Sequence, residues 1–532
     1  VASVLLLTLG LVAVTLANGL GALWPADVAQ LKLADGSSVL GELVKRDVDP
    51  GTGIRSLQLK TGNRELDPRR QDFRWYKEDD IARISYPKGV LVLERTGNGN
   101  FYGFLADVRG PLAERLEGDA LARFGTALRA VQGAREEQIA PLEAEVYGLT
   151  QDLQTLKGRI RRLEYRLGQM RGAGAGEIPT HCAALEAELA QCRAQRDAIR
   201  VESERKTSEQ NAHVAELRKN VAVFSIGPDQ TYAVPLLDVV RHYTPNDMGV
   251  PAKIGHYLAR IKELLLGWPR ESNTEGGLFP AIFGTVMLVF LMSVSCFPLG
   301  VLAGVYLGEY AREGRLVRLV RIAVNNLAGI PSIVYGMFGL GFFIYGIGRL
   351  VDRWFFPEWY EVRQPVFGTG GVLWASLTLG LLTVPVVIVA TEEALRTIPL
   401  AVREGSYALG ATKFQTLLRV LLPIASPGIM TGFILAMARA AGEVAPLMLT
   451  GAIKLASDLA IDGRFPFFHL DRKFMHLGYH IYDIGFQSPN VEATKPMVYV
   501  TTLLLVLIVL GMTSVAIVLR NRMKRRYPSQ AI

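Results

Sequence analysis

The sequence predicts a polytopic α-helical membrane protein of six transmembrane helices, with a large extramembrane α+β insertion that carries a coiled-coil helical hairpin. Three observations predict it. Six runs are long and uncharged enough to meet the roughly 20 apolar residues that a hydrocarbon core demands of a helix. Residues 25–277 read instead as ordinary soluble-protein text, with charges throughout. Within that text, apolar residues recur alternately four and three apart, which is heptad spacing.

The apolar runs cover about 1–23, 279–308, 326–348, 370–391, 426–451 and 497–519. The first has small residues near its end, "ANGLGA", as a signal peptide does. It is long for the apolar part of one and has no basic flank before it, so it reads as a retained anchor over 1–24. Orientation follows from Lys and Arg near the spans. The tail, 521–532 with Arg520 before it, carries "RNRMKRR" and places the C-terminus in the cytoplasm. Arg312, Arg315, Arg318 and Arg321 follow the second run, whereas Arg349, Arg353 and Arg363 fall in a loop assigned outside, so the bias rests mainly on the tail. Six spans then put the N-terminus inside, 25–277 outside and the loop Glu404–Pro423 inside. The net charge of +8 is accounted for by this topology. No basic-aromatic cluster points to nucleic acid, and the expected surroundings are membrane lipid.

Inside the insertion, 29–106 alternates and turns at "ADGS" and "GNGN", the pattern of short strands in a small β-rich unit, and 221–236 returns to it. The stretch between, 110–220, is helical. Leu142, Val146, Leu149, Leu153, Leu156, Ile160, Leu163, Leu167 and Met170 form its seam, and "RGAGAGEIPT" breaks it. The simplest arrangement is an antiparallel hairpin, with dimerisation through the seam as the alternative. Cys182 and Cys192 lie on one predicted helix about 15 Å apart by helical rise, too far to bond within it. With Cys296 they make no disulfide framework. Residues 254–268 read as an amphipathic helix near the membrane surface. The insertion carries no recognisable chemistry and reads as a spacer or docking scaffold.

The short loop "EGSYALGATKFQTLLRVLLP" is more specific. "EGSYALG" reads as a short helix that Gly410 ends, since glycine accepts the left-handed conformation just past a helix. Thr412 is a candidate N-cap for a second short helix, with Pro423 where the chain rejoins the bilayer. Tyr407, Leu409 and Phe414 are apolar groups for a partner's pocket, and Glu404 and Lys413 are placed to pair at its rim. An ordinary interfacial turn is the plainer reading.

These residues resemble the coupling motif of ABC-importer permeases, Glu-Ala-Ala-x3-Gly-x9-Ile-x-Leu-Pro. The motif stands here as Glu404, Gly405, Ser406, Gly410, Val420, Leu422 and Pro423. Gly405 and Ser406 replace the alanines and Val420 the isoleucine; small side chains are kept. "GLFPAIFGTV", "NNLAGIPSIVYGMFGLGFF" and "GIMTGFILAMARAAGEVAPLML" extend the likeness to the phosphate-permease (PstA) family of these importers. It covers 278–520, a permease domain with five transmembrane helices, plus the first span. The insertion departs from the compact members of the family.

The resemblance implies the fold of an ABC-importer permease in a bacterial inner membrane, with 25–277 in the periplasm. It implies a second, PstC-like permease, a PstB-like ATPase dimer and a PstS-like periplasmic phosphate-binding protein as partners. ATP and Mg would sit on the ATPase and none on this chain, which would be a transport subunit rather than an enzyme. "GATK" at 410–413 indeed lacks the ending and upstream glycine of a nucleotide-binding P-loop.

Arg439 and Glu443 interrupt the fifth run. A charge near the bilayer centre costs at least about 2.5–3.5 kcal/mol, so something must offset it. At i and i+4 they can satisfy each other and merely fix packing. With the phosphate-permease resemblance, they also read as the substrate pathway, Arg439 offering its planar fork to an oxyanion and Glu443 holding it. Gly329, Pro331, Ser332 and Gly336 read as close helix packing. His476 and His480, also four apart with His469 upstream, have metal-binding spacing but read as an outer-surface amphipathic segment with incidental histidines. Two rival functions stay open: a permease for sulfate or molybdate, and an envelope sensor or scaffold working through the coiled coil.

Overall fold

The computed structural model describes residues 2–21, 23–48, 53–66, 72–114, 116–172, 179–227, 230–270, 273–488 and 491–526. It separates into two compact units. One comprises Trp24–Ile261 with Pro357–Val362; the other comprises Val1–Leu23, Lys262–Phe356 and Arg363–Ile532. Helix α1, Ala2–Gly21, opens the chain.

Among the described residues, the first unit holds ten strands in two five-stranded antiparallel sheets. Strands β1 (Val28–Leu33), β2 (Ser38–Val48), β3 (Arg55–Lys60), β4 (Phe73–Lys77) and β5 (Ile81–Ser85) stand in the order β4-β3-β2-β1-β5. Strands β6 (Val90–Arg95), β7 (Phe101–Arg109), β8 (Val221–Gly227), β9 (Gln230–Pro235) and β10 (Val239–Tyr243) stand in the order β10-β6-β7-β8-β9. In the second sheet β6 is buried along its whole length, which is why "VLVLER" reads as a continuous run rather than an alternation. Helix α2 (Ala120–Ala134), capped by Asp119, presses Phe124, Leu128 and Val131 into a core shared with Leu91, Leu93, Phe101 and Phe224.

Two long helices, α3 (Ala140–Gly172) and α4 (Pro179–Arg218), run antiparallel. Pairs Arg171–Glu186, Glu164–Arg193 and Glu145–Lys206 mark the register. Ile160, Leu163 and Leu167 are buried against Leu189 and Cys192. A single helical turn at Pro357–Tyr360 belongs to this unit too: Arg161 sits 4.4 Å over the Trp359 ring, and Arg162 pairs with the buried Glu358. Helix α5 (Val250–Leu266) exposes Val250, Ile254, Leu258 and Leu265 along one stripe.

In the second unit, five described helices are long and apolar enough to cross a membrane. They are α6 (Phe279–Tyr310), α8 (Ser332–Phe355), α9 (Val372–Arg396), α11 (Lys413–Gly442) and the last helix, α14 (Val491–Arg526). Between them lie α7 (Arg315–Leu327), α10 (Leu400–Ala408), α12 (Ala445–Thr450) and α13 (Leu477–Tyr482). The opening helix α1 contributes the shorter apolar stretch Leu9–Gly21 and packs along α14, where Gly19 lies against the Tyr499 carbonyl.

Two spans are displaced from the apolar runs. The third begins at Ser332, not 326, because the chain breaks over 328–331 and Pro331 has no N–H to continue a helix. The fifth is helical from Lys413 to Gly442 and ends there, so the run 426–451 is split at Glu443 and Val444, with Pro446 starting the next helix. Apolarity marks what is buried in lipid or protein; it does not mark where the hydrogen-bond ladder stops.

Helix α9 is central. Two thirds of its apolar window, 67%, is buried, against 17–33% for the other four. Glycines on its neighbours let the backbones close, as small residues do in membrane bundles. A Cβ on Gly300 or Gly304 of α6 would meet Val387 at 2.7 Å or Thr391 at 2.6 Å, and one on Gly428 of α11 would meet Ala394 at 2.6 Å. Gly304→Val is therefore expected to destabilise the bundle by about 1–3 kcal/mol, the usual cost of overpacking. Unfolding in mixed detergent micelles measures it.

Candidate functional site

The segment 397–423 forms an elbow that joins α9 to the long span and takes in α10 and the first turns of α11. Helix α10 stops because Gly410 takes φ +83°. Its N–H donates to Tyr407 O (2.9 Å) while Ala411 N–H donates to Ser406 O (3.2 Å), the doubly bonded glycine stop. A Cβ on Gly410 would meet nothing, so the requirement is conformational rather than spatial. Thr412 then caps α11. Its Oγ1 accepts from Gln415 N (3.2 Å), and Gln415 Oε1 accepts from Thr412 N (2.9 Å).

The second half of the elbow is not a separate short helix. Lys413–Thr416 runs through one wide π turn, Leu417–Leu421, directly into the long span. The wide turn lies just before Pro423, which cannot donate back into the ladder. Val420 is half-buried, and Leu422 packs against a core of Val305, Leu395, Ile398, Leu417 and Leu421 that joins the elbow ends of α6, α9 and α11. Ser406 Oγ meets Thr416 Oγ1 at 2.9 Å and ties α10 to α11. Gly405 faces open space, so an alanine there would fit.

Glu404 and Lys413 do not pair. Lys413 Nζ lies 4.7 Å over the Tyr310 ring at the end of α6, and Glu404 is exposed without an ion-pair partner among the described residues. Alongside these polar groups the elbow presents large apolar ones outward: Leu400 is 70% exposed, Leu409 91% and Phe414 61%, with Tyr407 beside them. That is unusual cover for groups that would rather leave water.

Arg439 and Glu443 are brought together, with Nε–Oε1 at 3.4 Å. Arg439 also reaches the Ala328 carbonyl at 3.4 Å, on the break between α7 and α8. Glu443 sits one residue past the helix end rather than on a continuous helical face. In the last turn of α11 the guanidinium also complements the helix dipole. Both contacts are long for charge-assisted bonds, which run about 2.7–2.9 Å. The pair is loosely held.

The histidines are not on an outer surface. His476 and His480 are 0% and 2% exposed. His480 Nε2 lies 3.2 Å from the Asn273 carbonyl, and His476 Nδ1 accepts from Gly478 N. His469 pairs with Asp462 at 2.9 Å. Among the described residues no group of three His, Cys, Asp or Glu is placed to hold a metal.

Burial pushes both His476 and His480 down to about 4. The unfolded chain takes up those protons below about 6.5 and the folded chain does not until about 4. Stability is thus fully present above about pH 6.5 and lost as pH falls towards 4. At pH 5 the loss should be about 2 kcal/mol per histidine. Thermal unfolding between pH 7.5 and 5 measures it, and His476→Gln should roughly halve the slope.

Sequence reasoning missed a set of ion pairs at the elbow. Arg321 of α7 binds Glu392 of α9 (2.8 Å), which also binds Arg396 (2.7 Å). Arg403 of α10 binds Glu309 of α6 (2.8 Å). The signal was available: charged residues closing long apolar runs, "GEYAR" and "EEALR", ask for partners.

Residues 297–527 match the family described as "Binding-protein-dependent transport system inner membrane component". The chain is 38% identical over 174 residues to "Phosphate transport system permease protein PstA 1" of Mycobacterium tuberculosis, covering 33% of this chain and 51% of that protein. It is 37% identical over 174 residues to PstA of Mycobacterium leprae, with 33% and 51% covered. It is 37% identical over 182 residues to PstA of Yersinia pestis, with 34% and 55% covered. The chain thus spans about half the length of the curated relatives it matches. A looser likeness in fold, with TM-score 0.33 and 20% identity, relates it to the inward-facing MetNI methionine ABC transporter, covering 52% of this chain and 99% of that one. The stretch that holds both the elbow and the Arg439–Glu443 pair lies within residues 297–527, which match that inner-membrane component family and resemble permeases named PstA.

Proposed function

We propose that this chain is a permease subunit of an ATP-driven importer that moves inorganic phosphate across a bacterial inner membrane. The observation that carries the reading is the apolar elbow itself, presented on a scaffold whose matched stretch is shared with named phosphate permeases. Exposed Leu400, Leu409 and Phe414 suit a groove on a PstB-like ATPase, and Glu404, Gly405, Ser406, Gly410, Val420, Leu422 and Pro423 shape the elbow that enters it. ATP and Mg belong to that ATPase. Helix α1 serves as a sixth span, the insertion 25–277 lies in the periplasm, and the elbow and basic tail lie in the cytoplasm.

In this reading ATP-driven closure of the paired ATPases moves the elbow, and the bundle alternates between outward-open and inward-open states. A PstC-like permease completes the path, and a PstS-like protein delivers phosphate. Arg439 and Glu443 line that path, where an anion must be held weakly enough to leave. The coiled-coil hairpin of α3 and α4 is a periplasmic docking or spacing element.

Affinity purification in mild detergent, followed by reconstitution, tests the reading. An ATPase and a second permease should co-elute, and vesicles should take up phosphate in preference to sulfate and molybdate. Absence of both partners would end the proposal. Preference for sulfate or molybdate would move it to another oxyanion.

A further inference from the structure

The elbow is exposed on one side, yet something must make its movement pull on the spans. Arg403 directly precedes Glu404 on α10, and its side chain points the other way, into the bundle, where it is only 15% exposed. One guanidinium arm donates to Ile398 O at 2.6 Å. The other donates to Leu395 O at 2.8 Å and to Glu309 Oε1 at 2.8 Å. Leu395 is in the last turn of α9 and Ile398 lies two residues past its end; the Leu395 carbonyl also accepts from Ile398 N–H at 3.3 Å, so the guanidinium adds a second donor where helical partners run out. Glu309, 9% exposed, lies in the π turn Tyr306–Tyr310 that ends α6.

The same turn is gripped from the other arm of the elbow, by Lys413 over Tyr310. One planar fork therefore fastens three helix ends, something a lysine's point charge cannot do. These contacts are short where those of Arg439 are long.

We propose that Arg403, with Glu309, is a clamp that makes α10 move as one body with the ends of α6 and α9. It is a positioning residue: it touches neither the ATPase nor the transported anion. The inference rests on the importer reading for its consequence, but its geometry can be tested without it.

The first measurement uses the purified chain alone. Cys182, Cys192 and Cys296 are replaced by serine, and spin labels are placed by Leu400→Cys and Tyr306→Cys, both exposed positions. The distance distribution between them should be narrow, and Arg403→Ala should broaden it about twofold. An unchanged width overturns the clamp, whether or not the protein transports phosphate.

The second uses the reconstituted complex. Arg403→Ala should leave ATPase co-purification and ATP hydrolysis near wild type while lowering phosphate moved per ATP by about tenfold or more, the scale of lost charged hydrogen bonds. Glu309→Gln keeps the two carbonyl contacts and should have a smaller effect, and the double variant should be no worse than Arg403→Ala alone. An unchanged uptake-to-hydrolysis ratio, additive effects, or loss of the ATPase from the complex would each refute the clamp. Failure of the unsubstituted complex to move phosphate would instead refute the importer reading.

Discussion

Arg439→Ala is expected to lower phosphate uptake by about a hundredfold or more, because a guanidinium fork makes two charge-assisted bonds to an oxyanion. The geometry favours this size of effect. Arg439 is a third exposed, and its contacts to Glu443 and to Ala328 O are both 3.4 Å, so little must be broken to turn it towards an anion. Arg439→Lys keeps the charge and loses the fork, and should cost about tenfold. Removing Arg439 alone strands Glu443, which is 18% exposed, so folding needs its own control. The paired variant Arg439→Gln with Glu443→Gln leaves no unmatched charge. It should assemble with its partners and still fail to transport. Normal phosphate uptake by that variant would show that the two residues only fix packing.

Leu409→Asp and Phe414→Asp are expected to lower co-purification of the ATPase by about a hundredfold, since each would carry a carboxylate into an apolar contact. The effect should fall on binding and spare folding. Both side chains are exposed, and surface substitutions of this kind usually change stability by about 0.5 kcal/mol or less. Gly410→Val tests the same elbow from inside. It forces a β-branched residue to φ +83°, at a cost of about 1–2 kcal/mol or more, and should tilt α10 within the elbow without touching its exposed surface. ATPase retention by the aspartate variants would mean that the elbow is not where the ATPase binds.

Local chemistry is legible in the order of residues. Gly410 and Thr412 can be assigned as stop and start because capping involves only residues within a few positions of each other. The apolar runs put the start of the third span at 326 and the end of the fifth at 451, and both are displaced for the opposite reason. An apolar stretch looks the same whether its ladder continues or breaks, and the break at 328–331 carries the carbonyl that Arg439 reaches. The expected Glu404–Lys413 pair does not form because Tyr310, far away in sequence, offers Lys413 a ring. The histidines escape the expectation of an outer surface because burial depends on what covers a segment, and their own spacing says nothing of that.

By itself, the order of residues determined where apolar runs and soluble text alternate, where one helix must stop at a glycine and the next begin at a threonine, and that two charges within one apolar run need an answer. Those properties depend on neighbours in the chain and on the solvent a residue prefers. Only the tertiary structure decided that Arg403 meets Glu309 and the end of α9, that α9 is the packed centre, and that His476 and His480 are shut away from water. Each of these depends on which distant segments come to within a few ångströms, and no single stretch of sequence encodes that distance.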